Sequence, residues 1–218
     1  MLRFCDGLKQ FCNNFNHPAN LINPNTFKMK RVLLLFAAIL ALSTPSFAYD
    51  FESDGIYYNI LSADPATVEV TYKTSTYNSY SGEVTIPETV TNGETTYKVV
   101  VIGANAFYEC TGLTKVVYPA SIVGVAKNAF EKCYKLKNFY PLDSESDGFV
   151  IGEYIDSIGF SAFDSCTSIK SVAIPATLET MGEAVFEGCT SLTSADLSAC
   201  TLTTLPVPRL PIAPRFRK

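Results

Sequence analysis

One short pattern, written four times between Ile102 and about Leu202, constrains this chain more than any other feature. Cys110, Cys133, Cys166 and Cys189 mark its register, spaced 23, 33 and 23 residues apart. Three residues before each cysteine stands Phe107, Phe130, Phe163 or Phe186, preceded by Ala106, Ala129, Ala162 or Val185. Three after it comes Leu113, Leu136, Ile169 or Leu192, and six after it Val116, Phe139, Val172 or Ala195. Seven before it lies Gly103, Ala126, Gly159 or Gly182. A period of this length means stacked units, each with apolar faces that only its neighbours bury.

Written out, the pattern is I-G-x-x-A-F-x-x-C-x-x-L-x-x-V-x-x-P, clearest from Ile102 to Pro119 and from Ile158 to Pro175. It resembles the BspA-type leucine-rich repeat family. The stretch Asp50-Phe51 to Asp54-Gly55-Ile56-Tyr57-Tyr58 is similar to the start of mature proteins of that family. The resemblance implies a right-handed solenoid. It also implies surface attachment or protein binding, and no enzymatic activity.

The segments flanking the repeats read as follows. Lys28-Met29-Lys30-Arg31, the apolar run Val32–Leu42 and Ser46-Phe47-Ala48 make residues 29–48 a secretory signal peptide, cleaved after Ala48. Its apolar run is too short to span a membrane as a helix, which takes about 20 residues. The Asn-rich residues 1–28 do not suit a position before such a signal and read as a non-native upstream extension, translation starting at Met29. Cys5, Cys12 and His17, inside that extension, match no zinc module. His17 is the only histidine, so the exported chain has no imidazole for catalysis. From Tyr49 onward there are 12 basic and 20 acidic residues, a net of −8 that argues against nucleic acid and anionic membranes as partners.

Residues 49–101 read as an N-terminal β cap. Gly55–Leu61, Thr67–Tyr72, Glu83–Ile86 and Thr96–Val101 are rich in β-branched and aromatic residues, with turns at Asp64-Pro65 and Asn92-Gly93. Such a unit covers the apolar end of a stack. Residues 102–205 then hold four repeats and the start of a fifth. The predicted fold is a β-rich α/β solenoid. In it Leu113, Val116 and Tyr118 (and their counterparts) step inward along a short strand, and A-F-x-x-C forms a single helical turn. The glycine before that turn permits a tight bend.

Because the phenylalanines recur once per repeat, they read as a core spine rather than a ligand stripe. Predicted core positions are Phe107, Cys110, Leu113, Phe130, Cys133, Leu136, Phe163, Cys166, Ile169, Phe186, Cys189 and Leu192. For the cysteines two readings stand. Their periodicity favours a ladder of buried thiols, whereas an exported chain favours disulfides, with Cys200 outside the series.

Strand alternation turns a second set outward, and this set forms the candidate binding residues: Lys115, Val117, Lys137, Tyr140, Lys170, Ala173, Thr193 and Asp196. On one continuous sheet Lys115, Lys137 and Lys170 would form a basic file, with Tyr140 as an aromatic anchor for an acidic protein segment. The longer middle interval carries an insertion near Leu142–Glu153. There, Asp143–Gly148 resembles half of a calcium loop but departs from it at Glu145 and Glu153, so a solvated acidic loop is expected and no metal. No nucleophile–base pair or cofactor motif is present in the sequence. Residues 206–218, with Pro206, Pro208, Pro211 and Pro214 among arginines, read as a disordered tail outside the stack, either from truncation or as a genuine basic extension.

The expected function is therefore a secreted or surface-displayed, non-catalytic protein-binding or adhesion module with an extracellular protein partner. Alternatives are a structural fragment without a partner and a glycan-binding accessory module presenting exposed tyrosines.

Overall fold

The computed structural model describes residues 48–144, 148–199 and 202, and the backbone of 215–217, all within the unit Ser46–Lys218. Three strands open the described chain: β1 (Phe51–Ser53), β2 (Ile56–Ala63) and β3 (Ala66–Thr71), paired antiparallel in sequence. Next come β4 (Gly82–Thr85), β5 (Thr89–Asn92) and β6 (Thr95–Ile102), with β5 and β6 forming a hairpin around Asn92-Gly93. From here pairing between coils is parallel. The remaining strands are β7 (Leu113–Tyr118), β8 (Gly124–Val125), β9 (Asn138–Pro141), β10 (Ser157–Ile158), β11 (Ser171–Ala173), β12 (Thr180–Met181), β13 (Ser194–Asp196) and β14 (Arg215–Arg217).

Each coil contributes to three hydrogen-bonded faces. The first follows the order β3-β6-β8-β10-β12, and its register aligns Ile102, Val125, Ile158 and Met181, the apolar residue before each repeat glycine or alanine. The second comprises two separate three-stranded sheets, β4-β7-β9 and β11-β13-β14. Because β4 pairs with β7 and places Val84 opposite Val116, the parallel stack begins one coil before Ile102.

The third face is built from turns. The A-F-x-x-C spacing predicts a helical turn, but no described residue is helical. In the first copy Ala106, Tyr108, Cys110 and Leu113 donate their N–H groups to the carbonyls of Gly103, Asn105, Phe107 and Cys110, each three residues back. Asn105 and Glu109 adopt φ of 57° and 55°, as do their counterparts Asn128, Lys132, Ser161, Ser165, Ala184 and Gly188 at 51–69°. Two left-handed residues per coil cannot continue an α-helix. They also free the alternate N–H groups to point along the stack. Phe107 donates to Ala129 at 2.7 Å, Phe130 to Ala162 at 2.7 Å and Phe163 to Val185 at 2.9 Å.

The repeat glycines are required for space, not for a bend. A Cβ on Gly159 would lie 2.5 Å from the Lys127 nitrogen, and one on Gly182 would lie 2.4 Å from that of Phe160. At this position the coils come into backbone contact, and neither glycine has positive φ.

Inside, the phenylalanine rings lie one over another. Phe107–Phe130, Phe130–Phe163 and Phe163–Phe186 are separated by 4.8, 5.1 and 5.7 Å, with interplanar angles of 5°, 2° and 8°. The first two spacings match the distance between adjacent strands of a sheet, so the rings are as far apart as the backbones that carry them. Leu113, Leu136, Ile169 and Leu192 are buried beside them. Cys110, Cys133, Cys166 and Cys189 are free and buried. The last three donate their thiols to the carbonyls of Phe107, Phe130 and Phe163, at 3.0, 3.2 and 3.2 Å. Burial pushes the Cys110 thiol up to about 11 and that of Cys189 up to about 12. Cys200 and residues 1–47, which hold the upstream extension and nearly all of the signal segment, lie outside the described residues. The tail departs from its expected place: Arg215–Arg217 forms a parallel strand on Ser194–Asp196, as one more rung of the stack.

Candidate binding surface

The insertion governs the outward strand face. After β9, Leu142 N–H bonds the Tyr118 carbonyl at 2.7 Å and Ser144 N–H bonds that of Pro141 at 2.9 Å. The chain then returns alongside β9: Phe139 N–H bonds Gly148, and Val150 N–H bonds Phe139, at 2.7 and 2.6 Å. Phe149 turns into the core and meets Phe139, Phe163 and Phe186 at centroid distances of 5.4, 5.0 and 6.0 Å. Ile151 and Ile155 are buried as well. Phe149 and Ile151, in the second half of the insertion, and Ile155 just past it are thus part of the interior, whereas Leu142 and Asp143 at its start are exposed. Burying Phe149, Ile151 and Ile155 offsets the entropy of ordering a longer connection, at roughly 1.5–3 kcal/mol per side chain. Glu145, Ser146 and Asp147 of the half-calcium pattern lie outside the described residues, and no group of carboxylates suited to a metal occurs among the described ones.

This returning segment also splits the strand face, which the sequence suggests is one sheet. With Phe149 seated beside Phe139, β9 and β11 belong to different sheets. The expected lysine file is broken twice. Lys115 pairs in register with Asn138, so Lys137 stands one position lower, level with Thr114. Lys170 lies across the insertion on the second sheet's coil, level with Thr193. Lys115 is further tied to Glu83 in an ion pair, and this contact raises its pKa. Lys137 and Lys170 are exposed.

Val117, expected to face outward, is only 7% exposed. It lies in the central strand of its sheet with Thr85 and Tyr140 directly opposite on either side, and these neighbours cover it. Tyr140 is half-buried, whereas Ala173, Thr193 and Asp196 are exposed. Thr193 Oγ1 donates to the Lys170 carbonyl at 3.2 Å, and Asp196 Oδ1 accepts the Ser198 N–H at 2.9 Å.

At the carboxyl ends of β9 and β11 the split opens into a groove of about 400 Å³. One wall is the insertion, with Asp143, Glu153 and Tyr154. The other is Ala173, Ile174 and Pro175. Tyr154 is 46% exposed and donates its hydroxyl to Asp143 Oδ2 at 3.0 Å. Leu142, next to the groove-lining Pro141, is 61% exposed. Strand alternation cannot reveal this groove, because its residues fall in the stretch where the period is interrupted. The only sequence signal is the interval of 33 residues in place of 23.

Parallel coils, a phenylalanine ladder and an exposed strand strip define a leucine-rich-repeat solenoid. The chain belongs to the BspA-type leucine-rich repeat family, whose model matches residues 72–145 and 143–207 in six copies. Among solved structures it is similar to a leucine-rich repeat protein from Bacteroides capillosus, with 26% identity and a TM-score of 0.52, covering 66% of this chain and 95% of that one. A leucine-rich cell surface protein from Faecalibacterium prausnitzii matches at 24% identity and a TM-score of 0.52, over 66% of this chain. This chain spans 41% of that protein's length. The pneumococcal vaccine antigen PcpA shares the fold at 20% identity and a TM-score of 0.50, over 66% of this chain and 37% of its own. No curated protein matches in sequence. No helix of the described residues is long and apolar enough to cross a membrane.

Proposed function

We propose that this chain is a non-catalytic protein-binding module displayed outside the cell, engaging its partner through the outward strand strip. The observation that carries this reading is the alternation on β11 and β13. Val172 and Ala195 are buried, while Ser171, Ala173, Ser194 and Asp196 are exposed. Main-chain bonds hold such a strip rigid, so a partner orders few side chains on docking and loses little affinity to that cost. Lys137, Tyr140, Lys170, Ala173, Thr193 and Asp196 make up the contact set, with Tyr140 and the lysine stems supplying apolar area. Two structural relatives whose names mark them as a cell surface protein and a vaccine antigen support a place on the outer surface. The residues of the export signal, 29–48, give the route.

A capture experiment tests this. Immobilised chain is exposed to solubilised surface proteins of neighbouring cells and compared with the K137E/Y140A/K170E variant. Loss of a captured protein in the variant supports the strand strip as the binding face. Identical capture profiles would remove it.

A further inference from the structure

We propose that the groove between the insertion and β11 takes an extended basic peptide segment, its main chain paired to the free edge of β11 and a lysine or arginine held between Asp143, Glu153 and Tyr154. This deepens, and rests on, the reading of the strand strip as a protein-binding surface. Three observations meet at the groove.

First, β11 has an unpaired side. Thr193 N–H bonds the Lys170 carbonyl and Ile174 N–H bonds that of Asp196, both at 2.9 Å, so residues 170, 172 and 174 turn their main-chain groups toward β13. In a parallel ladder the intervening residues turn theirs the other way. Ser171 and Ala173 therefore present N–H and C=O groups toward the insertion, and no partner for them exists among the described residues. Ala173 lines the groove. An edge of this kind binds an added strand.

Second, the groove is acidic. Asp143 and Glu153 line it, both exposed, and among the described residues no cationic side chain does. Asp143 is held in place by the Tyr154 hydroxyl through Oδ2. The lysines nearest in sequence lie elsewhere: Lys137 and Lys170 sit at the opposite, amino ends of β9 and β11. From Tyr49 onward the chain holds 12 basic and 20 acidic residues, a net of −8, which would steer a cationic segment inward.

Third, the walls suit the stem of a long cationic side chain. Pro141, Ile174 and Pro175 are apolar, and the half-exposed Tyr154 ring offers a face for a guanidinium or ammonium group.

The test measures binding of a fluorescent hexapeptide, Arg-Val-Arg-Val-Arg-Val, to the full chain by anisotropy, beside its Glu-Val counterpart. The same measurement is made on D143N/E153Q and on E88Q/E94Q, which removes equal charge from exposed positions of the β5–β6 region. Expected are binding of the Arg-Val peptide alone, a loss of about tenfold or more in D143N/E153Q and little change in E88Q/E94Q. The peptide N-methylated at every backbone amide should also lose affinity, because strand pairing needs the N–H groups of one alternating set. No binding, equal weakening in both double variants, binding of the Glu-Val peptide or undiminished binding of the N-methylated peptide would each overturn the proposal. Should the peptide fail while K137E/Y140A/K170E still abolishes capture, the groove falls and the strand strip stands.

Discussion

The Tyr118 hydroxyl accepts the Gly152 N–H at 2.8 Å and donates to the Val150 carbonyl at 2.9 Å, so a fully buried side chain of β7 pins an insertion more than thirty residues away. Removing that oxygen leaves the buried Gly152 N–H and the half-buried Val150 carbonyl without this partner. Tyr118→Phe should cost about 1–3 kcal/mol, the range for orphaned buried groups. Amide exchange should accelerate at Gly152 while the Phe130 amide stays protected. A loss of protection spread evenly over the chain would contradict a local pin.

The glycine positions predict a steric effect. Gly159→Ala and Gly182→Ala should each destabilise by about 1–3 kcal/mol or more, since the added methyl meets backbone that cannot rotate away. Gly112→Ala, whose Cβ would meet only the Ser81 side chain at 3.2 Å and that residue's Cα at 3.9 Å, should cost less. Thermal melts of the three variants give the ranking.

Phe130 is sandwiched between Phe107 and Phe163, so Phe130→Ala opens a cavity in the middle of the ladder. The expected loss is about 3–5 kcal/mol, read from chemical denaturation. A variant that melts with the wild type would refute the stack.

The thiols give a reactivity and a pH prediction. Cys133 and Cys166, buried and with pKa values pushed well above the ordinary range, should resist alkylation in the native protein and label fully on unfolding. A folded pKa above the unfolded one means that stability is intact below the ordinary thiol value, about 8.5, and is lost as pH rises. Cys110, at about 11, sets the lower end of the native titrations. The melting temperature should therefore hold to about pH 8.5 and decline progressively to pH 11 and beyond. A melting temperature that rises over that interval would contradict it.

The coil architecture is legible in the sequence because one apolar rung recurs at a fixed offset from each cysteine. What pattern reading misses is local. The A-F-x-x-C spacing fits a helical turn as well as a run of β-turns, and only the left-handed residues, such as Asn105 and Glu109, decide between them. Glutamate, lysine and alanine at such positions give no warning, unlike glycine or asparagine. Val117 alternates correctly for an outward residue, yet its burial depends on Thr85 and Tyr140 two strands apart. The lysine file fails on simple counting: Lys115 follows its cysteine by five residues, Lys137 and Lys170 theirs by four. The groove is invisible from the repeat because it exists only where the repeat is interrupted.

The most direct measurement of coil stacking is the through-hydrogen-bond coupling between amide nitrogen and carbonyl carbon in the isotopically labelled protein. Stacked coils predict cross-peaks from Phe107 to Ala129, Phe130 to Ala162 and Phe163 to Val185. Couplings from those three amides to carbonyls four residues earlier in the same repeat would mean isolated helices, and the strand strip and groove would be lost with the stack.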